Sequence, residues 1–158
     1  MSEWIEGRNA VLEAFRSGRT VDRVYLLEGC QDGPLHTIAR EARKKDTIVT
    51  YVPRERLDQL SKTKAHQGVL AQVAAYDYAS VEDILERAKE KGEPPFLILL
   101  DNVEDPHNLG AVIRTANLAG AHGVIIPKRR SVGLTATVAK TSAGAINYTP
   151  VAKVTNLV

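Results

Sequence analysis

Two short apolar runs, Phe96 to Leu100 and Gly123 to Ile126, flank a segment whose apolar residues repeat at helical spacing. The first run, behind Pro94-Pro95, reads as a strand covered on both faces, as strands of a parallel sheet are. Leu109, Val112, Ile113 and Ala116 fall on one stripe of a helix, with Asn108 at the N-cap position and Gly120 as the stop. Strand, helix and strand in this order imply a right-handed crossover. The polar turn from Asp101 to Asn108 then lies at the carboxyl edge of the sheet, where loops converge and helix N-termini present free N–H groups.

The same alternation runs through the rest of the chain. Helices are expected over Gly7–Ser17, Pro34–Lys45 and from Pro53 to about Leu60, and strands over Asp22–Leu27, Thr47–Val52 and Gly68–Ala74. They make an α/β/α unit of residues 1–75. Ser80-Val81-Glu82-Asp83 reads as a capping box opening a helix to about Lys91, which Gly92-Glu93-Pro94-Pro95 ends. Residues 76–95 thus serve as a linker or as the first helix of a second unit, residues 96–158. There a small-residue helix over Thr135–Ala145 and a third strand over Tyr148–Val154 complete the pattern. The fold class is α/β.

Hydrophobic residues make up 44% and charged residues 25%, and no apolar run approaches the roughly 20 residues of a membrane helix. The N-terminus, with Glu3, Trp4, Glu6 and Arg8, does not resemble a secretory signal, and a lone Cys30 forms no internal disulfide. Cytoplasmic residence is expected. The net charge is only +2, but residues 96–158 hold six basic and three acidic side chains. Asp101, Glu104, Asp105 and His107 match no defined metal-binding spacing, so no metal is expected. Neither strand-to-helix turn carries a Gly-x-Gly-x-x-Gly loop, which argues against a Rossmann nucleotide site.

On the helical wheel Arg114 points away from the core, flanked by Gly110 and Asn117, so its guanidinium is expected beside bare backbone that a ligand can approach. The spacing Asn102-x-x-Asp105-Pro106-x-Asn108-x-Gly110-x-x-x-Arg114-Thr115-Ala116 resembles the first motif of the SpoU (TrmH-type) branch of the SPOUT RNA methyltransferases. Gly7-Arg8-Asn9-Ala10-Val11 with Glu13-Ala14, His66-Gln67-Gly68-Val69 and Thr141-Ser142-Ala143-Gly144-Ala145 are similar to further parts of the same family, so the resemblance covers nearly the whole chain.

The resemblance implies a small N-terminal RNA-binding domain like the ribosomal kink-turn-binding fold, then the first half of a parallel-sheet SPOUT (trefoil-knot) domain. It implies S-adenosylmethionine as cofactor and 2'-O-methylation of a ribose, a guanosine of large-subunit ribosomal RNA, by a homodimer. The family's later Gly-Glu-Gly-type and Ser-Leu-Asn-type motifs do not occur before Val158, so the chain reads as a fragment and the cofactor-binding residues are expected beyond Val158. If 158 residues is the natural length, the alternative is a non-catalytic RNA-binding protein.

By the same resemblance Arg114 and Asn108 are the catalytic candidates. A guanidinium hardly deprotonates, so Arg114 is expected to act electrostatically, lowering the effective pKa of the target hydroxyl, with Asn108 offering its amide to ribose or phosphate. Asn102, Asp105 and Gly110 are expected to shape the loop, with Asp105 a candidate partner for Arg114. Gly7, Arg8 and Asn9 at the first helix start, Lys62, Lys64 and His66 before the Gly68 strand, and Lys128-Arg129-Arg130 after the second strand of the motif unit are the candidate RNA contacts.

Overall fold

A computed structural model describes residues 4–30 and 32–158. The chain divides between Ala74 and Ala75 into two compact units.

In the first unit the elements are β1 (Trp4–Glu6), α1 (Arg8–Arg16), β2 (Val21–Leu27), α2 (Gly33–Lys44), β3 (Ile48–Val52), α3 (Arg54–Leu60) and β4 (Val69–Val73). The sheet order is β1-β4-β2-β3, with β2 and β3 parallel and β4 antiparallel to both β1 and β2. Period-two alternation sorts the side chains by face. Val24 and Leu26 of β2 and Val69, Ala71 and Val73 of β4 pack with Val11, Phe15, Ile38 and Ala42 of α1 and α2. Leu70 faces the other way, onto Leu57 of α3, with Trp4 and Tyr25 packed beside them. The expected α/β/α arrangement is present, with β1 added to it. Cys30 is half-buried against the first of these cores.

The second unit holds α4 (Val81–Glu90), β5 (Leu97–Leu99), α5 (Pro106–Leu118), β6 (Gly123–Pro127), α6 (Ala136–Thr141), a 3-10 turn (Ala145–Asn147) and β7 (Val151–Val154). Its sheet is parallel throughout, in the order β5-β6-β7. Val124 and Ile126 of β6 pack with Leu109, Ile113 and Ala116 of α5 and Val138 of α6. Ile125 faces the opposite layer, against Ile84 of α4 and Ala152 of β7.

Residues 76–95 behave as part of this unit rather than as a free linker. The capping box forms, with Asp83 N donating to Ser80 Oγ at 3.0 Å and Ser80 N donating to Asp83 Oδ2 at 2.9 Å. Ile84 and Ala88 of α4 are fully buried, and Ile84 lies so close to β6 that a Cβ on Gly123 would come within 2.7 Å of its Cγ2. His122 ties the end of this layer together. It is 2% exposed, its Nδ1 accepts from Phe96 N at 3.0 Å, and its Nε2 lies 2.8 Å from Glu93 Oε2.

Three expectations are corrected. Phe96 to Leu100 is covered only in part: Ile98 packs toward one core and Leu97 toward the other, but β5 is an edge strand among the described residues and Leu99 is 54% exposed. The strand buried along its whole length is β6. The helix expected over Thr135–Ala145 ends at Thr141, because Ala143 and Gly144 turn to positive φ (51° and 85°) and start the 3-10 turn. The last strand begins at Val151 rather than Tyr148, after Pro150.

Candidate functional site

Helix α5 starts three residues earlier than the placement of Asn108 at its N-cap implies. Pro106 occupies the first turn, where its fixed φ suits a helix and its missing N–H costs nothing. The cap is therefore Asp105, whose Oδ1 accepts from His107 N at 2.7 Å and Asn108 N at 3.2 Å. Asn108 becomes an exposed residue of the first turn. Asn102 adopts φ 58°, a conformation Asn tolerates better than most residues, and so sets the direction of the loop. With its carboxylate engaged by backbone N–H groups, Asp105 makes no ion pair with Arg114 among the described residues.

Gly110 does not leave a bare patch for a ligand. It is buried, and α6 fills the space beside it: a Cβ there would lie 2.7 Å from Thr141 Cβ and 3.0 Å from Ser142 N. Thr141 Oγ1 donates within the same contact, toward Thr137 O at 2.9 Å and Pro106 O at 3.3 Å. The glycine is thus the point at which two helices meet.

Beside that contact α5 and α6 flank an open cleft of about 610 Å³, lined by His107, Ala111, Arg114, Thr137, Lys140, Thr141 and Ala143. His107, Ala111 and Arg114 share one face of α5 at helical spacing, and Thr137, Lys140 and Thr141 do the same on α6. Arg114 and Lys140 are exposed, neither is held in an ion pair among the described residues, and no carboxylate lines the cleft. Asn108 lies outside it, about a third of a turn round the helix from Arg114. The two catalytic candidates therefore share a helix but not this cleft. Sequence reasoning missed Lys140; its only signal was the Thr137-Lys140-Thr141 spacing on a helix rich in small residues.

The Lys128-Arg129-Arg130 loop follows β6 at the carboxyl edge. Arg130, at φ 58°, brings its guanidinium to 3.6 Å from Asp101 Oδ1 in the loop after β5. Lys128 is half-buried and its N–H donates to Val154 O at 2.8 Å, while Arg129 is exposed.

In the first unit several candidate RNA contacts are engaged within the unit itself. Arg8 is satisfied internally: its N–H donates to Gln67 Oε1 and its Nε to Gln67 O, both at 3.1 Å, and its guanidinium pairs with Asp32 at 2.6 Å. Gly7, at φ 91°, donates to Val69 O. The helix N-terminus thus has its first donors already spent. His66 is 4% exposed, with Nδ1 accepting from Gly68 N at 3.0 Å and Nε2 at 2.9 Å from Asp58 Oδ1. Because Nδ1 accepts, the proton sits on Nε2 and is donated to Asp58.

Asn9, Lys62 and Lys64 are exposed. The lysines ride on a loop pinned by Glu6, which accepts from Ser61 Oγ at 2.7 Å, from Lys62 N at 2.6 Å and from Thr63 N and Oγ1. Desolvation pushes the Glu6 carboxyl up, but the hydrogen bonds from Thr63, Ser61 and Lys62 outweigh it and hold the pKa at about 2.

Comparison with known families decides what these parts belong to. Residues 4–79 match the family model described as RNA 2'-O ribose methyltransferase substrate binding, and residues 95–158 match that of the SpoU rRNA Methylase family. The chain belongs to the SpoU family. Among curated relatives, a protein of Bacillus subtilis named as a TrmH family tRNA/rRNA methyltransferase, YacO, is 50% identical over 155 residues, covering 98% of this chain and 62% of the relative. A Staphylococcus haemolyticus protein named for the same family is 46% identical over 153 residues, covering 97% and 61%. This SpoU chain spans about three fifths of the length of the curated relatives it matches.

Proposed function

We propose that the protein acts in the S-adenosylmethionine-dependent 2'-O-methylation of a ribose in RNA. The observation that carries this reading is Arg114, exposed in a cleft with Lys140 and His107 and no carboxylate, on the helix that carries most of the segment resembling the family's first motif. A guanidinium there stabilises a developing 2'-alkoxide and lowers the effective pKa of the hydroxyl without itself giving up a proton. Removing one preorganised donor of this kind costs about 3 kcal/mol of transition-state stabilisation. Asn108, six residues before Arg114 on the first turn of α5, offers its amide to ribose or phosphate from outside the cleft.

S-adenosylmethionine supplies a methyl group on a sulfonium cation. The cleft does not suit it, because that cation would face Arg114 and Lys140 with no carboxylate or other anion to balance it. No residue of the chain is assigned to the donor.

The RNA in this reading is ribosomal, the target a guanosine of the large subunit, and the working species a cytoplasmic homodimer. The names of the relatives support the RNA class, tRNA or rRNA. Asn9, Lys62 and Lys64 in the first unit and Lys128 and Arg129 in the second are the side chains we assign to RNA phosphates.

The test is a map of ribose methylation in ribosomal RNA from cells with and without the gene. Loss of one 2'-O-methyl group at a large-subunit guanosine on deletion is expected; an unchanged map contradicts the reading.

A further inference from the structure

Resting on that reading, we infer that Lys140 is a positioning residue that, with Arg114, grips a single phosphodiester of the substrate RNA across the α5–α6 cleft. Arg114 lies one helical turn beyond Gly110, and Lys140 directly precedes Thr141. The close approach of Gly110 to Thr141 thus fixes the register that brings both cations to one cleft.

The cleft's chemistry selects its ligand. Among the described residues, two unpaired cations and His107 line it with no carboxylate, which favours an anion. All three side chains are exposed, whereas small-molecule sites enclose most of their ligand, so an open trough of this kind suits the backbone of a polymer. The two cations divide the work. Arg114, planar and forked, addresses the reacting ribose and its phosphate, and Lys140, a compact point charge on a flexible stem, holds the same phosphate from the facing helix. The ribose is thereby kept in one place relative to Arg114.

The experiment is fluorescence-anisotropy titration of a labelled single-stranded RNA oligonucleotide with the chain over a series of salt concentrations. The variants are Lys140→Ala, Lys140→Arg and, as a surface control, Lys89→Ala. Lys140→Ala is expected to weaken binding roughly three- to tenfold and to make the slope of log K against log salt shallower by about 0.7, one phosphate contact on a single strand. Lys140→Arg restores both, and Lys89→Ala changes neither. If the unaltered chain binds and Lys140→Ala leaves the slope unchanged, or Lys140→Arg fails to restore it, the inference is overturned while the proposed function stands. If the unaltered chain does not bind RNA at any salt concentration, the proposed function falls and the inference with it.

Discussion

Gly110 and Thr141 meet where α5 crosses α6, so closely that a Cβ on Gly110 would stand 2.7 Å from Thr141 Cβ and 3.0 Å from the backbone N of Ser142. Part of that clash is with backbone, which cannot rotate away. Gly110→Ala is therefore expected to destabilise the second unit by about 1–3 kcal/mol, the usual cost of overpacking. Thermal melts check this, and Thr141→Ala in the same chain should recover only part of the loss. An unchanged melting temperature for Gly110→Ala would show that the helices do not pack this way.

Asp105 should account for the start of α5. Removing its side chain leaves the N–H groups of His107 and Asn108 without their acceptor, so Asp105→Ala is expected to cost about 1 kcal/mol in urea unfolding. Asp105→Asn keeps an oxygen acceptor and should recover most of that. If Asn108→Ala proves more destabilising than Asp105→Ala, the cap is misassigned.

The helix α5 shows what is legible in a sequence and what is not. Its apolar stripe and the outward direction of Arg114 follow from helical spacing. Its start was misread because Asn108 and Asp105 are both good caps, and Pro106 distinguishes them only if the constraint at the first helical position is applied. Gly110 gave a correct signal with the wrong partner, since a glycine on a helix surface makes room for a ligand or for another helix alike. That β5 lies at the edge of its sheet depends on which strands flank it, and β1 is too short, at three residues, to show alternation. Lys140 reaches Arg114 only through the packing of α6, 26 positions along the chain, which no local pattern records.

Glu6 makes the chain acid-sensitive in a defined window. Its folded pKa, about 2, lies below the unfolded value of 4.5, so between those values the unfolded state binds the extra proton. The stability it contributes is fully present above about pH 5 and is lost as pH falls toward 2. Urea midpoints across this range should fall more steeply for the unaltered chain than for Glu6→Gln, which lacks the titrating group. Parallel curves would remove Glu6 from the account of how the Lys62–Lys64 loop is held.

His66 and the lysines beside it should separate stability from binding. His66→Ala strands the Gly68 N–H and leaves Asp58 unpaired, at a cost of about 1–3 kcal/mol, while the folded protein keeps its RNA affinity. Lys62→Ala with Lys64→Ala should do the reverse, weakening RNA binding with melting temperature unchanged. A His66→Ala chain that melts normally but binds RNA poorly would return His66 to the RNA surface.

In the function proposed, Arg114 acts on the ribose hydroxyl. Its most direct test is the fraction of target ribose methylated in ribosomal RNA when a strain lacking the gene is complemented with the unaltered gene or with one encoding Arg114→Ala at matched protein level. Restored methylation by the first and its near absence with the second is predicted, consistent with a loss of about 3 kcal/mol of transition-state stabilisation. Full methylation by the Arg114→Ala gene product would show that Arg114 has no such role.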